Sequence, residues 1–182
     1  MSRPSLHVEP SGVLDTARHY VRDLVYGAND GIITTFAVVS GVAGGALSHT
    51  AVLIIGAANI AADGVSMGVG NLLAIRAHER TLEAQGLPEE ESFPWKHGVA
   101  TLAAFVCAGA IPLIPYLVPL PDGSAGVWSA TLTFSAQFGL GAVRAVITSE
   151  RWWKSGTETL ALGAVVAVAA YAAGALVAWA AG

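Results

Sequence analysis

The chain has 182 residues, of which 54% are apolar and only 12% are charged, and its net charge is −4 at pH 7. A soluble domain carries about a quarter charged residues, so this composition excludes an ordinary soluble protein and predicts one integral membrane domain in contact with lipid. The modest negative charge argues against nucleic acid as a partner. Because the first 23 residues are polar, we expect no cleavable signal peptide.

Residues 1–23 form a polar tail ahead of the membrane domain. We expect residues 1–12 to be disordered, whereas residues 13–23 carry apolar side chains at helical spacing. This pattern is typical of a short amphipathic helix on a membrane surface. A solvated helical lead-in to the first span explains it equally well.

Five apolar segments follow, within a membrane domain of residues 24–182. They run over about 24–47, 50–75, 97–118, 128–147 and 157–181. Each has the roughly 20 residues that a helix needs to cross a bilayer. The predicted fold is therefore an all-α membrane protein with five transmembrane helices and a short cytoplasmic loop over residues 76–96.

The basic residues predict how these helices are oriented. All nine Lys and Arg residues fall in the tail, in the loop 76–97 or at 144–154. The turns at 48–50 and 119–127 hold none, and neither does the C-terminus. Because cytoplasmic loops are enriched in Lys and Arg, we expect the N-terminus in the cytoplasm and the C-terminus outside.

Glycine pairs mark the first span. They are spaced four residues apart, at Gly27–Gly31 and at Gly41–Gly45. Small residues at this spacing let helices approach closely in lipid, so we expect a two-fold interface between two copies of the chain. The alternative is that glycine is simply common in membrane helices.

A polar face runs along the second span. Its members recur every four residues in an otherwise apolar segment: Asn59, Asp63, Met67 and Asn71. Residues four apart lie on one face of a helix. The first span contributes Asp30, with Asn29 and Thr34 near it. A carboxylate in hydrocarbon costs at least roughly 2.5–3.5 kcal/mol and is therefore functional by default.

The depths of these residues predict a path for a cation. Asp30 lies roughly 10 Å and Met67 roughly 12 Å from the inner ends of their spans, so they can meet between antiparallel helices. Carboxylates joined by a thioether favour a divalent transition metal, and a proton competes with the metal for the same oxygens. In a dimer with a two-fold axis through the first span, two copies of Asp30 would match the charge of a divalent ion. The alternative is structural hydrogen bonding by the aspartates and ordinary packing by Met67.

The loop 76–97 is the largest polar connection. It is expected to be helical at first and then to be broken by Gly86, Pro88 and Pro94. Three of its residues are candidates for collecting cations at the inner mouth: His78, Glu79 and Glu83, with the acidic run 89–91 beside them. A solvated acidic loop explains them equally well.

These segments resemble the vacuolar iron transporter family. The first span reads DLVYGANDGIITTFAVVSGVAGG and resembles the family's first helix. The second reads ANIAADGVSMGVGNLLA and is similar to the second helix with its Ser-Met-Gly signature. The C-terminal part reads GLGAVRAVITSERWWKSGTETLALGAVVAVAAYAAGALV and resembles the fourth and fifth helices. The resemblance covers about residues 20–180.

The resemblance implies a homodimer of five-helix protomers with the ion path between the first two helices at the dimer interface. It implies export of ferrous iron from the cytosol, usually in exchange for protons, with manganese as a cargo of some members. The family's path aspartate and methionine correspond to Asp30 and Met67, and a family glutamate corresponds to Asn59, with Asp63 one turn away. The short loop resembles nodulin-21-like members, which lack the cytoplasmic metal-binding domain of longer relatives.

Two other functions compete with transport. A membrane scaffold would use the polar face only to hold helices together. An intramembrane aspartyl hydrolase would need two aspartates that share a proton, but Asp30 and Asp63 follow Ala-Asn and Ala-Ala, which do not match that enzyme class. We therefore expect a transporter, not an enzyme, with no permanently bound cofactor and with metal and protons as its transported ions. A prokaryotic inner membrane is the expected location.

Overall fold

The described part of the protein is built from helices. A computed structural model describes residues 4–181, apart from the side chains of 146–148. Its helices are, in chain order, α1 Val13–His19, α2 Val21–Gly44, α3 His49–Ala84, α4 Pro94–Gly109, a 3-10 helix Ile111–Leu113, α5 Ile114–Leu117, α6 Ala125–Thr148 and α7 Trp152–Ala181. All five predicted apolar segments are therefore helical.

Three of these segments are long and apolar enough to cross a membrane. Among the described residues they are α3, the stretch Pro94–Leu117 and α7. Helix α2 is not among these three, and it carries Arg22, Asp23 and Asp30 within its 24 residues. The class of an all-helical membrane protein is confirmed, and five spans with a cytoplasmic N-terminus stay a prediction.

Helix α3 extends well beyond the predicted boundary at residue 75. The Ser48 hydroxyl caps its start by accepting the backbone N–H of Ala51 at 3.3 Å. Its 36 residues span about 54 Å, longer than a hydrocarbon core of about 30 Å. The helix ends at Ala84, and Gly86 just after it adopts a positive φ of 71°, which is outside the helical range. The predicted break at Gly86 is confirmed, whereas Pro94 is the first residue of α4.

Helix α2 contacts α3, α4, α6 and α7 and lies at the centre of the helical assembly. Its first glycine pair faces α4. A Cβ atom added to Gly27 would lie 2.4 Å from the Thr101 carbonyl oxygen. A Cβ atom added to Gly31 would lie 2.4 Å from the Phe105 carbonyl oxygen. Within one chain the backbone of α4 occupies the space that these glycines leave, and the expected two-fold interface at this pair stays a prediction.

The second glycine pair faces α7. A Cβ atom on Gly174 would lie 2.0 Å from the Gly41 carbonyl oxygen, and a Cβ atom on Gly45 would lie 3.7 Å from the Gly174 carbonyl oxygen. Both pairs therefore close contacts inside one chain. A homodimer, and any part of these glycines in it, stays a prediction.

The N-terminal tail is ordered where it is described, which corrects the expectation for residues 1–12; residues 1–3 lie outside the described part. The backbone N–H of Leu6 donates to the Glu89 carbonyl at 2.7 Å, and the N–H of Glu89 donates to the Pro4 carbonyl at 2.8 Å. Lys96 also forms an ion pair with Glu9. Ordering the tail costs conformational entropy, and its polar composition offers little apolar burial to offset that cost. The backbone hydrogen bonds with the loop offset it instead. The expected short helix forms as α1.

Candidate metal path and inner polar cluster

Helices α2 and α3 bring the two intramembrane carboxylates together. Asp30 and Asp63 are both half-buried and lie within electrostatic range of each other. In the part of the chain that the structure describes, neither carboxylate makes an ion pair or a side-chain hydrogen bond. Met67 lies half-buried one turn from Asp63 on the same face of α3. Asp30 and Asp63 together can therefore accept a cation.

Two polar side chains link α2 to α3 beside these aspartates. The Thr34 hydroxyl donates to the Asp30 carbonyl oxygen at 2.9 Å, and the Asn59 amide approaches the Thr34 hydroxyl oxygen at 3.5 Å. Asn59 and Thr34 are therefore placed along the predicted path.

Asn29 lies elsewhere than predicted. It borders a cavity of about 530 Å³ between α2, α6 and α7, together with Arg144 and Thr159. Adjacent helical residues point about 100° apart, so Asn29 faces these helices although Asp30 faces α3. Asn29 does not line the path.

Asn71 belongs to a separate polar cluster at the inner end. Its amide donates to Asp23 Oδ1 at 2.7 Å and to the Thr101 hydroxyl at 2.8 Å, and approaches the His97 carbonyl oxygen at 3.4 Å. These contacts use its donors, so Asn71 ties α2, α3 and α4 together.

A chain of ionisable side chains in contact with one another extends from Asp23 towards the cytoplasmic loop. Asp23 Oδ2 lies 2.5 Å from Nδ1 of His97, and Nε2 of His97 lies 2.9 Å from Glu91 Oε2. Asp23 is only 2% exposed. Sequence reasoning missed Asp23 and His97 because it placed them at the ends of predicted segments. Asp23 lies seven residues before Asp30, about two turns along one face, and that spacing could have found it.

The Glu91 carboxylate is held in its ionised form. Burial raises the pKa of Glu91, but the backbone N–H of Phe93 and the side chain of His97 together outweigh it, so the pKa lies below its usual value. The Phe93 N–H donates to Oε1 at 2.8 Å. These contacts orient both carboxylate oxygens of Glu91 at the place where the loop meets helices α2, α3 and α4.

The three predicted cation collectors do not converge. His78 lies 3.2 Å from Glu90, and Glu83 is exposed. Glu79 accepts the backbone N–H groups of Glu90 and Glu91, at 3.1 Å and 2.7 Å, and so shapes the loop. Among the described residues, no group of metal-ligating side chains includes any of the three.

The sequence profile of the VIT family matches residues 21–93 and 81–175, which together cover most of the chain. The chain belongs to the VIT family. Vacuolar iron transporter 1 of Arabidopsis thaliana is 26% identical to this VIT-family chain over 94% of each protein. Vacuolar iron transporter 1 of Eucalyptus grandis is 26% identical over 86% of each. A vacuolar iron transporter of Toxoplasma gondii is 41% identical over 76 residues, which are 42% of this chain and 25% of that protein.

These matches confirm the resemblance in the sequence. The two ranges of the family match overlap at 81–93, which is the last turn of α3 and the loop that leads to α4. The alignment with the Arabidopsis relative spans 235 positions, more than the 182 residues of this VIT-family chain, so that relative carries segments without a counterpart here. The expected prokaryotic inner membrane finds no support in these relatives, whose names place them in the vacuole.

Proposed function

We propose that this VIT-family protein is a membrane transporter that exports ferrous iron from the cytosol in exchange for protons, with manganese as a second cargo. Family membership and the names of the relatives support iron transport. The observation that carries the mechanism is the pair Asp30 and Asp63, which lie within electrostatic range of each other on adjacent helices without a neutralising partner among the described residues.

The two carboxylates supply the chemistry of exchange. A metal binds only to deprotonated oxygens, so a proton and a divalent ion compete for the carboxylate oxygens of Asp30 and Asp63. Binding of the metal on one side of the membrane therefore displaces protons, and its release on the other side leaves the oxygens free to bind them. Met67 adds a soft ligand that favours ferrous iron over harder divalent ions. Asn59 and Thr34 provide neutral oxygens at the next level of the path.

The membrane arrangement follows from the same residues. We propose five spans with the N-terminus in the cytoplasm, because the basic residues cluster on one side. We also propose a homodimer with the half-exposed face of α2 and α3 at its two-fold axis. That arrangement would place two Asp30–Asp63 pairs close together and would shield them from lipid, where a charge is costly.

Proteoliposomes with a trapped pH dye and external ferrous iron test this function. Asp30→Asn preserves shape but removes the titrating oxygen, so it should abolish both metal flux and metal-driven proton flux. Asp63→Asn should reduce both fluxes. Met67→Leu preserves volume and should change the preference between iron and manganese more than the proton coupling.

Unchanged metal and proton flux in Asp30→Asn would show that the aspartates are structural. A complete lack of flux in the unmodified protein, with intact folding, would favour a membrane scaffold.

A further inference from the structure

We propose that His7, His19 and Glu91 form a binding site for a divalent transition metal at the inner mouth of the protein. The possible ligand atoms of these residues all lie within 4.8 Å of one another. His7 Nδ1 lies 3.4 Å from Glu91 Oε1, and His19 Nε2 lies 3.3 Å from Glu91 Oε2. Atoms that bind one ion at about 2.1 Å in a tetrahedron are themselves about 3.4 Å apart, so these separations suit a shared ion.

The histidines have ring nitrogens that the described protein leaves without hydrogen bonds. Nε2 of His7 and Nε2 of His19 are both buried and lack a hydrogen-bond partner, and the His7 side chain is only 6% exposed. An imidazole that is buried without a hydrogen bond loses the solvation of its polar atoms. A metal ion bound to Nε2 of His19 would recover that loss at His19. At His7 the nitrogen near Glu91 is Nδ1, so the ion would bind that atom and not Nε2.

The surrounding residues orient Glu91 in the way that metal ligands are oriented. The Phe93 backbone N–H donates to Oε1, and His97 contacts Oε2 while its other nitrogen contacts Asp23. Such outer contacts hold metal-ligating carboxylates and imidazoles in place. The Glu91 carboxylate keeps further lone pairs for an ion, because each oxygen can accept more than one contact.

The chemistry of the three side chains selects the metal. Two imidazoles and one carboxylate, with positions left open, are the donor set of many ferrous sites. Imidazole also disfavours magnesium and calcium, which prefer oxygen ligands alone. The site therefore suits ferrous iron, cobalt or zinc.

The location of the site connects it to the proposed path. A cavity of about 590 Å³ is bordered by His19 and Glu91 and extends to Asn71 and His97. Asn71 lies one turn from Met67 on α3. A loading role for the site rests on the proposed transport function, whereas metal binding itself does not.

Equilibrium titration with Co²⁺ alone tests the binding site. The full-length protein in detergent would carry Asp30→Asn, Asp63→Asn and Met67→Leu, so that the proposed transport site contributes nothing. We expect one Co²⁺ per chain in this background. His7→Gln, His19→Gln and Glu91→Gln should each weaken binding by at least about 10-fold. His49→Gln is the matched control, because His49 begins α3 at the opposite end and contacts Tyr116, and it should leave binding unchanged.

If His7, His19 and Glu91 are held together only by ion pairs, they should not bind Co²⁺. Co²⁺ binding that is absent from the background, or that is equally strong after His7→Gln and His19→Gln, would overturn the proposal. Failure of transport in the unmodified protein would leave the binding result intact, so the two proposals can fail separately.

X-ray absorption spectroscopy with one equivalent of Zn²⁺ gives a second test in the same Asp30→Asn, Asp63→Asn and Met67→Leu background. Two imidazole ligands per zinc are expected if the cluster binds the ion. Because the proposed transport ligands are removed, a spectrum without imidazole ligands would contradict the site.

Discussion

At the scale of single residues, the protein treats its buried carboxylates in two ways. The Asp23 carboxylate accepts the Asn71 amide and lies within ion-pair distance of His97 and Arg22. Asp30 and Asp63 have only each other among the described residues. A buried charge without a partner destabilises a fold, so the second arrangement indicates a function and the first indicates a structural role.

Asp23→Asn tests that structural role. The substitution removes the charge that holds His97 and leaves an amide beside a buried imidazole, so it should destabilise the protein by roughly 1–3 kcal/mol. Thermal unfolding of the purified protein in detergent measures the change. Asp15→Asn is the control, because Asp15 lies on the exposed helix α1. Equal unfolding temperatures of the two variants would show that the Asp23 contacts contribute nothing.

At the scale of helices, close backbone contact is the main packing device. A Cβ on Gly68 would lie 2.8 Å from the Gly98 carbonyl oxygen, and a Cβ on Gly98 would lie 2.6 Å from that of Gly68. Helices α3 and α4 therefore touch backbone to backbone, as α2 and α4 do at Gly27 and Gly31. Helix–helix association in lipid depends on this kind of van der Waals contact.

Gly31→Ala tests the contact between α2 and α4. The added methyl group would collide with the Phe105 carbonyl oxygen, so the helices must separate, at a cost of roughly 1–3 kcal/mol. Gly70→Ala is the matched control, since a Cβ atom added there would meet nothing within 4 Å and alanine is the better helix former. Thermal unfolding should show a lower midpoint for Gly31→Ala only. If Gly70→Ala also lowers the midpoint, the loss of stability comes from replacing a glycine within a helix and not from a collision between α2 and α4.

At the scale of the whole molecule, the helices present extensive apolar surface to their surroundings. Only 6% of the most apolar stretch of α7 is buried, and 22% of that of α3. In water such patches would drive association, whereas lipid or a second protomer covers them. The charged loop and tail lie together at one end, where Glu9 pairs with Lys96.

Cysteine labelling tests the predicted orientation. In a Cys107→Ser background, which removes the one native cysteine, Asp122→Cys should react with an impermeant reagent from outside. Gln85→Cys should react only after the membrane is opened, because its loop carries the basic residues. Both positions are exposed. Labelling of both from the same side would contradict the five-span topology.

Local patterns determined the helices and the polar face of the path from sequence alone. Apolar segments of membrane length, the breakers Gly86 and Pro94, and the four-residue spacing of Asp63 and Met67 act within a few residues of each other. Their effects on backbone geometry are the same whatever surrounds them. The VIT family could also be recognised from these segments. The shared depth of Asp30 and Met67 followed from counting residues along two antiparallel helices, with Asp63 one turn further out.

Only the tertiary structure decided which surfaces meet. The sequence marks Gly31 as a place of close approach, but any neighbouring helix could fill it, and α4 does so within the chain. His7, His19 and Glu91 lie in three segments far apart in sequence, and no local period relates them. Their convergence depends on the pairing of the tail with Glu89 and on the way that α4 leaves the loop at Pro94. Long-range contacts of this kind reflect the packing of the whole chain, which no local pattern encodes.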